Sequence, residues 1–130
     1  AAFLAVKLPF LEKVNANRRS IADRYLIGIN NPEIILPFVP DYAVPVWHVF
    51  GIRCKRRTAL EKFLNDAGIG TNKHYPIPMH LQGCYKDLGF KEGDFPIAEE
   101  ISSTELSIPM YYGMSDEEIQ YVIDKLNAFK

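Results

Sequence analysis

Cysteine is scarce in this chain. Cys54 and Cys84 are the only two in 130 residues, too few for the disulfide framework of a small secreted domain. Residues 1–11 carry Lys7 and Pro9 and no cleavage pattern, so nothing there reads as a secretory signal and the expected setting is a reducing cytoplasm. Long hydrophobic runs are missing too. The longest, residues 34–39 and 44–52, are broken by proline or histidine and fall far short of the about 20 residues a membrane span needs. No charge of one sign dominates: 15 Lys and Arg against 16 Asp and Glu leave a net charge of −1, which gives no global field for nucleic acid or an anionic membrane. What remains is a soluble single domain, large enough to remove roughly two thirds of its unfolded surface from water.

The apolar pattern then divides the chain. Leu4, Leu8, Leu11, Ile21, Ala22, Tyr25 and Leu26 fall at three-and-four spacing, which predicts one long helix over residues 2–29 with a kink near Pro9. That pattern starts without a capping residue or polar lead-in, and the expectation is a piece excised from a longer protein. "NNPE" stops the helix, and the proline-studded residues 35–46 read as extended or edge structure. Residues 46–54, "VWHVFGIRC", predict a central strand covered on both faces. Next comes a helix of about ten residues with Thr58 as N-cap, Glu61 at the capping-box position and Gly68 as terminator. "IGTNKHY" reads as a short strand, "GCYKDLG" as one or two helical turns, residues from Pro96 as a short helix and "LSIPM" as a further strand. The last helix is the clearest, with Ser115 and Glu118 as a capping box and Ile119, Val122, Ile123 and Leu126 as its buried stripe. This order predicts an α+β fold, a small and mostly antiparallel sheet with helices packed on one face.

Chemistry-bearing residues crowd into "KHYPIPMHLQGCY", residues 73–85. His74, His80 and Cys84 stand at H-x5-H-x3-C spacing with Cys54 upstream, and zinc uses such ligands. Pro76 and Pro78 stiffen the span between the histidines, however, and no C-x2-C knuckle is present, so no metal is expected. A Cys84–His80 nucleophile pair lacks an orienting third group and an oxyanion element. Phosphate-cradling glycine patterns are absent, since "GIGTNKH" fits neither common spacing. The prolines do present His74, Tyr75 and His80 with little freedom to lose on binding, as a ligand site would. The alternative is that His74 and Tyr75 end a strand and pack while His80 caps a turn. His48, within "VWHVFGI", reads as a hydrogen-bonded core histidine unless its strand faces a cleft.

Residues 68–110, "GIGTNKHYPIPMHLQGCYKDLGFKEGDFPIAEEISSTELSIPM", resemble the C-terminal part of the DegT/StrS-type sugar aminotransferases. The shared pattern is approximately G-I-x-T-x-x-H-Y-P-x-P-x-H-x-Q, then G-D-F-P-x-A-E, then L-S-x-P-M. Residues 1–25 look like the long helix that links the two domains of that family, and "WHVFGIR" is similar to its H-x-x-x-I-R strand.

The resemblance implies the small C-terminal domain of a type I, aspartate-aminotransferase-like fold, with residues 1–29 as the interdomain helix and 30–130 as the α+β body. It implies a parent enzyme that uses pyridoxal phosphate to move an amino group, from glutamate, onto a nucleotide-linked keto sugar, acting as a homodimer. The cofactor-bearing lysine motif of the family is not among the residues here, so the large cofactor domain is absent, no cofactor is expected on this piece, and it is expected to be inactive alone. By the same resemblance His80, His74, Tyr75 and Gln82 contact the substrate, with no catalytic residue among them. The family varies over "MYYGMSDEE", residues 110–118, which leaves the sugar, the ring carbon and a related dehydratase chemistry open. The competing expectation is a free-standing α+β ligand-binding or regulatory module without chemistry of its own.

Overall fold

The computed structural model describes all 130 residues. The predicted long helix is present in two parts, α1 (Ala2–Lys7) and α2 (Leu11–Gly28), joined by a single 3-10 turn at Leu8–Phe10. Pro9 sits in that turn, where its missing N–H and its ring, which would press on the carbonyl four residues back, tighten the helix. The two parts differ in burial. No residue of α1 is buried, whereas α2 sends Ile21, Ala22 and Tyr25 into the core.

Three antiparallel strands follow in the order β1 (Ile34–Ile35), β2 (Phe50–Cys54) and β3 (Glu105–Ile108). Their register pairs Ile34 with Cys54, Ile52 with Leu106 and Phe50 with Ile108. By the two-residue period of a strand, these side chains share one face, and all are buried. Helices α2, α3 (Arg57–Asp66) and α5 (Asp116–Ala128) cover that face through Tyr25, Leu60, Leu64, Val122, Ile123 and Leu126, all within one continuous core. The α+β arrangement with helices on one face is therefore observed, with one addition. Arg53 lies on the opposite face by alternation and reaches Glu100 of α4 (Pro96–Thr104), a helix with no buried residue.

Local signals were read correctly where they were strongest. The Ser115–Glu118 capping box forms, and the four-residue stripe of α5 is buried as predicted. Helix α3 ends in a Schellman motif, with Ile69 N–H bonding Leu64 O, Gly68 N–H bonding Asn65 O, and Gly68 at φ +77°, where a side chain would be strained. Two expectations are corrected. Thr58 is not the N-cap of α3; the helix begins at Arg57 after Arg56 without a side-chain cap, and Glu61 instead pairs with Lys73 at 2.7 Å. The central strand covers Phe50–Cys54 only and is buried on alternate residues. Residues 46–49 stay outside it because Trp47 turns into the left-handed region at φ 49°, while Arg18 of α2 donates to the carbonyls of Trp47 and His48 at 2.8 Å each.

Helices α2 and α5 also cap one another. Asn127 accepts from Asn30 N–H and donates to Gly28 O, and Asn31 donates to the carbonyls of Leu126 and Phe129, all at 2.8 Å, so the orphan groups at both C-termini find partners. Gly28 lets the two helices approach closely here, since a Cβ would lie 2.9 Å from Ile123 Cδ1 and that side chain would have to shift.

Candidate functional site

The predicted strand at residues 69–75 reduces to one bridge, Asn72 with Ser107, closed by two backbone hydrogen bonds of 2.8 and 3.1 Å. This bridge hangs the loop that follows on the edge of β3. Glu105 and Ser107 point to the face of the sheet opposite the core, and there they take hold of His74. Glu105 Oε2 accepts from His74 N–H at 2.7 Å, and Ser107 Oγ lies 2.6 Å from Glu105 Oε1 and 2.9 Å from His74 Nδ1. On the ring's other side Asn72 Nδ2 lies 3.2 Å from His74 Nε2. Both Glu105 and Ser107 are buried, and Gly51 of β2 leaves space for the carboxylate: a Cβ there would lie 3.1 Å from Glu105 Oε1.

A cavity of about 300 Å³ opens beside this arrangement, and His48, Asn72, His74, Ser107 and Met110 are in its lining. His48 is thus an exposed residue at a cleft, outside any strand, and not a core histidine. Tyr25 helps fix the cavity's rim: its hydroxyl, carried by α2, donates to Pro109 O at 2.9 Å. Burial pushes the Tyr25 phenol far above its ordinary value, so this donor keeps its proton.

Of the sequence-predicted residues, Tyr75 follows His74 across a cis peptide, stacks edge-on to it at 5.5 Å, and is exposed. Gln82 donates to Ile77 O at 3.3 Å, closing the proline-stiffened bend. His80 lies apart from His74, in the 3-10 turn Met79–Leu81. Its side chain is 7% exposed, its Nε2 lies 2.9 Å from Glu99 Oε1, and its ring packs 4.7 Å from that of Phe95. Glu99 also accepts from the backbone N–H groups of Gly93 and Phe95. Those backbone donors, Gly93 first, hold its carboxyl below the usual range, and His80 adds to the effect. His80 and Glu99 therefore tie the 3-10 turn Met79–Leu81, and the loop at Gly93, to α4.

The metal-like spacing is not gathered in space: Cys54 is in the core, Cys84 is exposed, and no three possible ligands converge. Nor do the residues present form a pyridoxal-phosphate site by themselves. No lysine is buried, and the cavity beside His74 has neither lysine nor arginine in its lining. No helix is long and apolar enough to cross a membrane. Sequence reasoning missed Glu105 and Ser107. Their one visible signal was polar residues alternating with Leu106 and Ile108 in a strand.

The model of the DegT/DnrJ/EryC1/StrS aminotransferase family matches residues 1–127. A dTDP-3-amino-3,6-dideoxy-alpha-D-galactopyranose transaminase of Aneurinibacillus thermoaerophilus is 42% identical over 129 residues, 99% of this chain and 35% of the relative. Among solved structures, DesV of S. venezuelae, in complex with a ketimine intermediate, is similar with a TM-score of 0.93 and 35% identity, over 97% of this chain and 34% of that one. Spr1654 from Streptococcus pneumoniae, in its PLP form, is similar with a TM-score of 0.83 and 28% identity, over 95% of this chain and 33% of that one. The chain thus spans about a third of the length of these relatives.

Proposed function

Because the chain belongs to the DegT/DnrJ/EryC1/StrS aminotransferase family, we propose that it is the C-terminal domain of a pyridoxal-phosphate enzyme that aminates a nucleotide-linked keto sugar with glutamate as donor. In the balance of that reaction the sugar's C=O becomes CH–NH2 and glutamate leaves as 2-oxoglutarate. The observation that carries the reading is the family match over residues 1–127 together with the TM-score of 0.93 to DesV of S. venezuelae, solved with a ketimine intermediate. The bound cofactor supplies the relay of the amino group in the parent, and a separate large domain would hold it. Residues 1–29 are the link to that domain, and 30–130 are the body that closes over the sugar.

Within this reading the loop at residues 74–82 is one wall of the active site. Tyr75, exposed at the bend, and His74, at the cavity, are the residues that meet the substrate; Gln82 holds the bend between them and the 3-10 turn. The resemblance counts His80 among the substrate contacts, and its commitment to Glu99 makes it the anchor of this wall, with the ring's other nitrogen left for any contact. A cytoplasmic homodimer is the setting in which this wall would work. A free-standing module fits less well, because α1 and the 3-10 turn after it leave Phe3, Leu4, Val6, Leu8 and Phe10 each more than 60% exposed, a face that a larger protein would cover.

The test is to supply the full-length enzyme carrying this chain with pyridoxal phosphate, 15N-glutamate and a dTDP-linked keto sugar. The expected product is a sugar nucleotide that has gained 15N in step with 2-oxoglutarate release. Conversion of the sugar without nitrogen gain would replace transfer by dehydration and overturn the proposal.

A further inference from the structure

The hydrogen bonds around His74 have only one consistent direction. Asn72 Oδ1 accepts from Lys73 N–H at 2.8 Å, which turns the Asn72 amide nitrogen, a donor, toward His74 Nε2. At the other end Glu105 Oε1 is a carboxylate oxygen and only accepts, so the single hydroxyl proton of Ser107 goes to it. Ser107 Oγ must then accept from His74, which places a proton on Nδ1. The geometry thus assigns the ring proton to Nδ1 and leaves Nε2 to accept from Asn72, because the partner of one nitrogen sets the role of the other.

We propose that Glu105 is the positioning residue that fixes His74 in this form, so that Nε2 meets the substrate as a hydrogen-bond acceptor and reads a sugar hydroxyl instead of a phosphate oxygen. This rests on the reading of the loop as a substrate wall. Two further observations support it. The present donor to Nε2 is the side chain of an exposed residue at 3.2 Å, a contact that an incoming hydroxyl can replace one for one. The cavity lining contains no lysine or arginine to neutralise a phosphate. Glu105 also holds the His74 backbone N–H, so one buried carboxylate sets both the position of the loop and the proton on the ring.

The experiment uses the full chain with 15N in its imidazole rings, His74→Gln assigning the signal. The expected result is a protonated Nδ1 and an unprotonated Nε2, lost in Ser107→Ala and restored in Ser107→Thr, which keeps the hydroxyl and guards against a folding defect. A wild-type ring protonated at Nε2, or a Ser107→Ala ring indistinguishable from wild type, overturns the assignment. Titration with methyl α-D-glucoside should shift Nε2, and inorganic phosphate should not; the reverse overturns the hydroxyl. In the full-length enzyme Ser107→Ala should lower kcat/KM for the dTDP-linked sugar about tenfold, leave the glutamate half-reaction unchanged, and be rescued by Ser107→Thr. Equal loss in both halves refutes the role. If the enzyme aminates no sugar at all, the proposed function fails on its own, and the ring proton and the two small probes still decide this inference.

Discussion

Replacing Tyr25 by phenylalanine removes one oxygen from the middle of the domain. The residue is fully buried, its ring meets Phe50 edge-on at 5.1 Å, and its hydroxyl bonds Pro109 O. Phenylalanine keeps the ring contacts and loses only the hydroxyl. The cost is one net hydrogen bond plus a share of the desolvation of Pro109 O, and since Pro109 is only half-buried, water can meet part of that need. The sum is about 1–2 kcal/mol. A domain of 130 residues unfolds with an entropy of about 0.27 kcal/mol/K, so Tm should fall by about 4–7 °C. Thermal melts of the full chain followed by circular dichroism read this directly. Tyr25→Ala, which also empties ring-sized space, should cost about 3–5 kcal/mol. An unchanged Tm in Tyr25→Phe would refute the Tyr25–Pro109 contact and the rigidity it gives the cavity rim.

Three further outcomes are expected. Ser115→Ala should destabilise the chain by about 1 kcal/mol, the usual cost of a lost N-cap, with helix content reduced at the start of α5; a melt identical to wild type would deny the capping box. Stability should fall on acidification below about pH 4.5, the unperturbed carboxylate value, because Glu99 and Glu118 are held below it by the backbone N–H groups of Gly93 and Ser115. Groups with depressed folded values contribute above that range and lose the contribution as pH drops through the folded values, so Glu118→Gln should shallow the decline in acid melts. His80→Ala and Glu99→Ala should produce the same phenotype, faster proteolysis within residues 83–95 and kcat/KM for the nucleotide sugar reduced ten- to a hundredfold, about 1–3 kcal/mol; a sugar defect in His80→Ala alone would make His80 a direct contact.

Helix α5 was legible in the sequence because its cap and its stripe are local: Ser115, Glu118 and the four buried residues lie within one short segment. The end of α3 was legible for the same reason, Gly68 being the residue that a left-handed terminator needs. Its beginning was not, since Thr58 matches a cap pattern that the chain does not use once α3 starts at Arg57. The strand over residues 46–54 was overextended because apolar composition says nothing of a tertiary clamp, and Arg18, nearly thirty residues upstream, holds the carbonyls at the Trp47 turn. The site divides in the same way. The histidine-and-proline loop announced itself, whereas the acid behind it did not, because Glu105 meets His74 only after β3 and the Asn72 bridge have formed. His80 stood out as a polar ring in a stiff loop, but sequence carried no sign that Glu99 would occupy it.

The central claim is that residues 74–82 serve the sugar half of an amino transfer, and Tyr75→Ala tests it most directly. Tyr75 is exposed, contributes little to the core and stands at the tip of the bend, so its loss should leave the fold intact. The two half-reactions of the full-length enzyme, measured separately by rapid mixing, should respond unequally. Reaction with the nucleotide-linked keto sugar should slow by about tenfold or more, the loss of one polar contact, while reaction with glutamate stays within about twofold of wild type. Equal slowing of both halves, or slowing of the glutamate half alone, would contradict the account.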